Sequence, residues 1–239
     1  MGTATPPRWT GHDYADSEAL AIGLAAAVGE RLRAGLHVRG SALLAVSGGT
    51  TPRRFLCALA QQPLDWARVT VTLADERCVP TDHEQSNERL VRELLLRDAA
   101  AGAHFVPLHA DGGAPTGEAA TSTVAARIDA LPLPFDAVVL GMGLDGHVAS
   151  LFPGGDRLRE ALDPRGKARL LPMRVPAATV PRMTFTLAAL TATRALYLHI
   201  EGEAKRAVFE QAMAATSEIP PVAAVVRAAP VATQLYWCP

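Results

Sequence analysis

Cysteine, aromatic side chains and net charge are all scarce in this chain. Cys57, Cys78 and Cys238 are the three cysteines among 239 residues, an odd number without C-x-x-C spacing. Such a set builds neither a disulfide framework nor a zinc cluster, and no metal site is expected. Cys78 follows Arg77, whose charge favours a thiolate, but that neighbour alone gives the thiol no role. The formal net charge is -1 and no long basic run exists, so the footprint of a DNA- or RNA-binding protein is missing. Any anion must be met by a local site. No apolar stretch approaches the roughly 20 residues that span a bilayer, and residues 1–30 lack a basic-then-apolar leader pattern. The expectation is a cytoplasmic protein without membrane contact. Lys-Ser and Lys-Thr pairs at P-loop spacing are also missing, which removes support for triphosphate hydrolysis.

What is present is an ordinary globular balance, 49% hydrophobic and 20% charged, over a length that suits one large α/β domain spanning residues 1–239. Ser17 to Arg33 carries apolar residues at helical spacing, with Gly35 and Gly40 as stop signals. Ala42 to Val46 is a short apolar run entering Ser47-Gly48-Gly49-Thr50-Thr51-Pro52, after which a helical period resumes. Val69 to Ala74 is a second strand ending in Asp75-Glu76-Arg77, ahead of a helix from Glu88 to Arg97. Val138 to Leu140 is a third, opening into Gly141-Met142-Gly143-Leu144-Asp145-Gly146-His147. Arg169 to Val175, Ala195 to Ile200 and Thr233 to Trp237 read as further strands, and Glu203 to Met213 as a helix. Asp111 to Gly117 and Pro153 to Lys167 read as surface loops. Strands alternating with helices predict a doubly wound, mostly parallel sheet with helices on both faces. In such sheets ligands sit beyond the carboxyl ends of the strands, where all three polar clusters lie.

The Ser47 to Pro52 turn offers small residues, amides and hydroxyls before a helix amino terminus, a setting for phosphate or carboxylate. It also fits a plain strand-to-helix turn with Thr50 or Thr51 as N-cap. Gly141 to Gly146 satisfies G-x-G-x-x-G, yet Pro153-Gly154-Gly155 cuts short the helix that should follow, and the next strand has no acidic end for a ribose. Asp145 and His147 make the best acid–base pair, since a carboxylate two positions away can orient an imidazole. His12, His37, His83, His104, His109 and His199 have no such company and read as structural or solvated. Asp75-Glu76-Arg77 is either a solvated turn or a source of a guanidinium for developing negative charge. Arg182 and Lys205 are open between phosphate contacts and surface positions.

Taken in order, SGGTTP from Ser47, ADER from Ala74 with VP at Val79 and SN at Ser86, GMGLDGHVASLFPG from Gly141, RMTFT from Arg182 and GEAKRAV from Gly202 resemble the 6-phosphogluconolactonase family. Thr50, where serine is usual, and Met183, where a β-branched residue is common, depart only mildly from its spelling. The resemblance covers nearly the whole chain. It implies a modified doubly wound (Rossmann-like) fold and hydrolysis of 6-phospho-D-glucono-1,5-lactone without metal or organic cofactor. It also implies that a small phosphorylated sugar lactone is the partner, bound by a monomer or small homo-oligomer. By motif position, His147 is then the base that activates water, with Asp145 beside it and Arg77 supporting the carbonyl or its oxyanion. Ser47, Gly48, Gly49, Thr50, Arg182 and Lys205 cradle the phosphate, and Asp75 and Asn87 line the pocket. Two other readings are a glucosamine-6-phosphate deaminase and a non-catalytic sugar-phosphate sensor. The deaminases resemble Phe-Asn-Glu-Pro-Gly where this chain has Ser150-Leu151-Phe152-Pro153-Gly154, so their glutamate is missing. A sensor needs an output module, and no DNA-binding helix pair is evident.

Overall fold

The computed structural model describes residues 8–109, 118–175 and 178–239. In chain order its first half comprises β1 (Trp9–Asp13), α1 (Ser17–Arg39), β2 (Ala42–Val46), α2 (Arg53–Ala60), β3 (Val69–Leu73), β4 (Asp75–Arg77), α3 (Asn87–Leu94), β5 (His104–Val106) and α4 (Glu118–Asp129). The second half comprises β6 (Ala137–Gly141), α5 (Leu158–Ala161), β7 (Leu170–Val175), β8 (Ala178–Phe185), α6 (Leu187–Thr191), β9 (Leu196–Glu201), α7 (Glu203–Ala214), α8 (Pro221–Ala228) and β10 (Thr233–Cys238).

Seven strands form one parallel sheet in the order β1-β10-β9-β6-β2-β3-β5. Every residue of β2 is buried, as is nearly all of β6 and β9. Strands hidden on both faces read as unbroken apolar runs rather than as alternation, which is why the central strands stand out in the sequence. α1 begins where the Asp16 side chain accepts from the Ala19 amide at 2.8 Å. Leu20, Leu24, Val28, Leu32 and Leu36 form its buried stripe. The helix runs past the expected stop at Arg33. Gly35 lies inside it, on the side facing Asp136, where a Cβ would stand 2.8 Å from the Asp136 carboxylate. Gly40, at φ 75°, ends the helix by donating its amide to the Leu36 carbonyl at 3.1 Å. The expected Glu88–Arg97 helix is likewise shifted, because Ser86 caps it and Asn87 already belongs to its first turn.

A larger correction concerns Arg169–Val175. It does not join the parallel sheet: β7 pairs antiparallel with β8, and β8 pairs antiparallel with β4. Asp75-Glu76-Arg77 is therefore not a solvated turn but a strand, with Asp75 opposite Thr184 and Arg77 opposite Arg182. The ladder continues beyond it, since Phe185 donates to the Ala74 carbonyl and Cys78 to that of Pro181. β4 follows β3 with only Ala74 between them, so the small sheet joins the large one at a carboxyl strand end. The stretch Asp111 to Gly117 lies outside the described residues, and Pro153 to Lys167 holds only the short helix α5.

Candidate active site

β2 and β6 are neighbours, yet the chain proceeds from β2 toward β3 and β5 and from β6 toward β9 and β10. The crevice at the carboxyl ends of such a pair is the switch point at which doubly wound sheets bind ligands. A cleft opens there, walled by the Ser47 to Pro52 turn, the loop after β6, β4, and Arg182 of β8. Ser47, Gly48, Gly49 and Thr50 line it from one side, and Asp75, Arg77 and Asn87 from another. His147, Arg182 and Lys205 complete the set, and Asp145 stands behind His147. The cleft thus gathers residues that are distant in the chain, as the motif order leads one to expect.

The loop after β6 is folded tightly on itself: Gly146 donates to the Gly143 carbonyl and Gly143 to the His147 carbonyl, each at 3.0 Å. This brings the His147 Nδ1–H within 2.5 Å of Asp145 Oδ1, and the His147 amide within 3.2 Å of the same oxygen. Nδ1 is then the protonated nitrogen, and Nε2, which has no partner among the described residues, is left with its lone pair. Glycine is required at position 143 because a Cβ there would collide with the His147 ring and the Asp145 carboxylate. Partial burial alone would raise the Asp145 carboxyl, but the hydrogen bonds and charge of His147 outweigh it and hold it below the ordinary value.

The opposite wall is cationic. Arg77 and Arg182 are register partners, and the Nε of each is buried without a hydrogen-bond partner. Burial, and then the neighbouring charge of Arg77, lower the Arg182 guanidinium from its ordinary value. Two like charges side by side with unmet donors make a site that gains from an anion. Arg77 is steadied by an Nη1 bond to the Gln85 carbonyl at 2.7 Å. Across the cleft, Pro52 holds the N-cap position of α2 and no side chain caps the helix. Neither Thr50 nor Thr51 serves as N-cap, so the first turn keeps its positive end for a ligand. Lys205 Nζ reaches Thr51 Oγ1 at 3.3 Å, and the Ser47 hydroxyl is buried without a partner.

Glu76 holds this wall together. Only 1% exposed, its carboxylate accepts from the amides of Arg77, Asn87 and Glu88 at 2.7, 2.8 and 2.7 Å and so caps α3 from outside. Burial pushes it up to about 7, with Asp75 adding to the rise against the three amides. His109, 3.8 Å away, is lowered by its own burial, so the contact is not a full ion pair. Asn87 donates to the Asp75 carbonyl at 2.9 Å and packs so closely on Gly48 that a Cβ there would strike it. Asp75 Oδ2 in turn accepts from the Ser150 hydroxyl at 2.5 Å.

Sequence reasoning gave Glu76 and Ser150 no role of their own, weighed Thr51 only as an N-cap and read His199 as structural or solvated. His199 is 2% exposed and lines the cleft, with Nε2 3.1 Å from Glu201. Its place opposite Gly141 is set by the pairing of β6 with β9, which no local sequence pattern gives. Cys78 is settled the other way: burial first, then the charge of Glu76, push its thiol up to about 11, far from a nucleophilic thiolate. Among the described residues no cluster of His, Cys, Asp and Glu could hold a metal ion, and no helix is long and apolar enough to cross a membrane.

The model of the family described as glucosamine-6-phosphate isomerases/6-phosphogluconolactonase matches residues 15–237. A 6-phosphogluconolactonase of Rhizobium meliloti is 48% identical over 229 residues, which are 95% of this chain and 98% of that protein. One of Pseudomonas aeruginosa is 47% identical over 220 residues, 92% of this chain and 90% of that one. The crystal structure of a 6-phosphogluconolactonase from Shewanella baltica superposes with a TM-score of 0.91 at 36% identity, covering 97% of this chain and 98% of that one. A dyad and a cationic wall facing one cleft at the sheet's switch point, and similarity along almost the whole length, lead to one conclusion: the chain belongs to the glucosamine-6-phosphate isomerase/6-phosphogluconolactonase family.

Proposed function

We propose that this chain hydrolyses 6-phospho-D-glucono-1,5-lactone to 6-phosphogluconate, with His147 as the base that activates water. The observation that carries this reading is the pairing of the Asp145–His147 contact at 2.5 Å with two guanidinium groups, Arg77 and Arg182, that line the same cleft and whose Nε donors are unmet. Nε2 of His147 takes a proton from a water as its oxygen attacks the lactone carbonyl carbon. The imidazolium that forms is stabilised by Asp145, and the negative charge on the carbonyl oxygen by Arg77. Collapse of the tetrahedral intermediate breaks the bond to the ring oxygen, and His147 returns its proton to that oxygen as the ring opens. No covalent nucleophile or cofactor enters this scheme.

The phosphate, remote from the reacting carbon, is held in this reading by the Ser47, Gly48, Gly49 and Thr50 turn with Arg182 and Lys205, while Asp75 and Asn87 line the sugar side. Its binding energy orients the ester toward the activated water. Against a deaminase stands Phe152, an apolar ring at the place of the glutamate that such enzymes carry. The catalytic unit is proposed to be a single domain, working in the cytoplasm as a monomer or small homo-oligomer. The direct test measures opening of freshly generated lactone, corrected for its spontaneous rate, beside ammonia release from glucosamine 6-phosphate. Lactone opening without ammonia supports the proposal. Ammonia without lactone opening overturns it, and binding of sugar phosphates without either turnover points to a sensor.

A further inference from the structure

Phe152 touches both arms of the cleft. Its ring stacks on the His147 imidazole with centroids 3.9 Å apart and planes 29° from parallel. The guanidinium carbon of Arg182 stands 5.0 Å from the same centroid. The adjacent Leu151 is fully buried, whereas Phe152 is only half-buried, so the core does not account for this ring.

Each contact supplies something its partner otherwise lacks. His147 is tied by Asp145 at Nδ1 alone, and a single tether at one ring atom leaves the imidazole free to tilt about it. A flat face against the imidazole removes that freedom. Arg182 has a buried Nε without a partner, and the aromatic face attracts its cation where no acceptor does. An aliphatic side chain of similar volume would fill the space but offers neither a plane nor a π-face.

We propose that Phe152 is a positioning residue that fixes the plane of the catalytic imidazole and the head of the phosphate-binding arginine together. Base and anchor thereby keep a constant separation along the substrate. This inference rests on His147 as base and Arg182 as phosphate contact.

The test compares Phe152→Leu and Phe152→Met, which keep apolar bulk, with Phe152→Tyr, which keeps the ring, and with His147→Ala as control. Loss of the flat face should lower kcat by about 30-fold and raise KM by about 5-fold in the Leu and Met variants, while Tyr stays within about 3-fold of the parent. Nitrogen-15 spectra of the imidazole give a readout that simple packing would not move: one Nδ1–H tautomer in the parent and Tyr variant, an averaged pair in Leu and Met. Parent-like kcat, KM and spectra in both aliphatic variants overturn the inference and leave His147 as base. Equal loss in Tyr, Leu and Met overturns it as well, since keeping the plane would then preserve nothing. Undiminished activity in His147→Ala removes the base assignment and this inference with it.

Discussion

Asp145 and Glu76 are two acidic residues beside one cleft, and their surroundings divide their work. Asp145, in the loop after β6, has a half-exposed side chain and is kept charged by His147. Glu76, on β4, is almost wholly buried and pushed up to about 7, with its oxygens turned to the amides that open α3. A carboxylate that must steady a developing imidazolium needs a permanent charge, whereas one that ties a helix to a strand needs only its oxygens. The comparison teaches that strand-end position does not assign a role. Access to the cleft and the identity of the hydrogen-bond partner do.

The largest effect should come from the loop side. His147→Ala is expected to lower kcat by about 1,000-fold with KM little changed, measured on fresh lactone. Next comes the buried carboxyl, which should report through stability. Folded Glu76 keeps its proton to about 7 while the unfolded chain releases it near 4.5, so between those values the native state binds more protons and stability falls as pH rises. The loss corresponds to about 3 kcal/mol, and denaturant unfolding at pH 5 and pH 8 should show it in the parent and not in Glu76→Gln. A Glu76→Gln protein with the parent's slope would erase the contrast between the two acids. Asp145→Asn is expected to cost about 100-fold in kcat by freeing the imidazole tautomer, without altering the pH dependence of unfolding in the window that belongs to Glu76. The smallest change should be Arg182→Ala, about 30-fold in KM with kcat nearly preserved. A fall in kcat alone would shift Arg182 from anchoring to chemistry.

The same division explains what the sequence made legible. β2, β6 and β9 are recognisable because burial on both faces demands continuous apolar residues, and the glycine loops at their ends follow from the tight turns that put Gly48 against Asn87 and Gly143 against His147. β4 is not legible: Asp75-Glu76-Arg77 contains no apolar residue, and its strand character comes from β8, far later in the chain. Glu76 received no role of its own for the same reason, since its burial is set by tertiary contacts. α8 is not among the expected elements, although Pro220 at its N-cap and Pro221 in its first turn suit the start of a helix. β1 is an edge strand of mixed character, Trp-Thr-Gly-His-Asp, whose pairing with β10 leaves no local pattern.

The central claim is that His147 carries the chemistry and Arg182 anchors the phosphate. It is tested most directly by calorimetric titration of 6-phosphogluconate into the parent, His147→Ala and Arg182→Ala proteins. His147→Ala should bind within about 3-fold of the parent and Arg182→Ala at least about 10-fold more weakly. Strong loss of binding in His147→Ala with unchanged affinity in Arg182→Ala would contradict it.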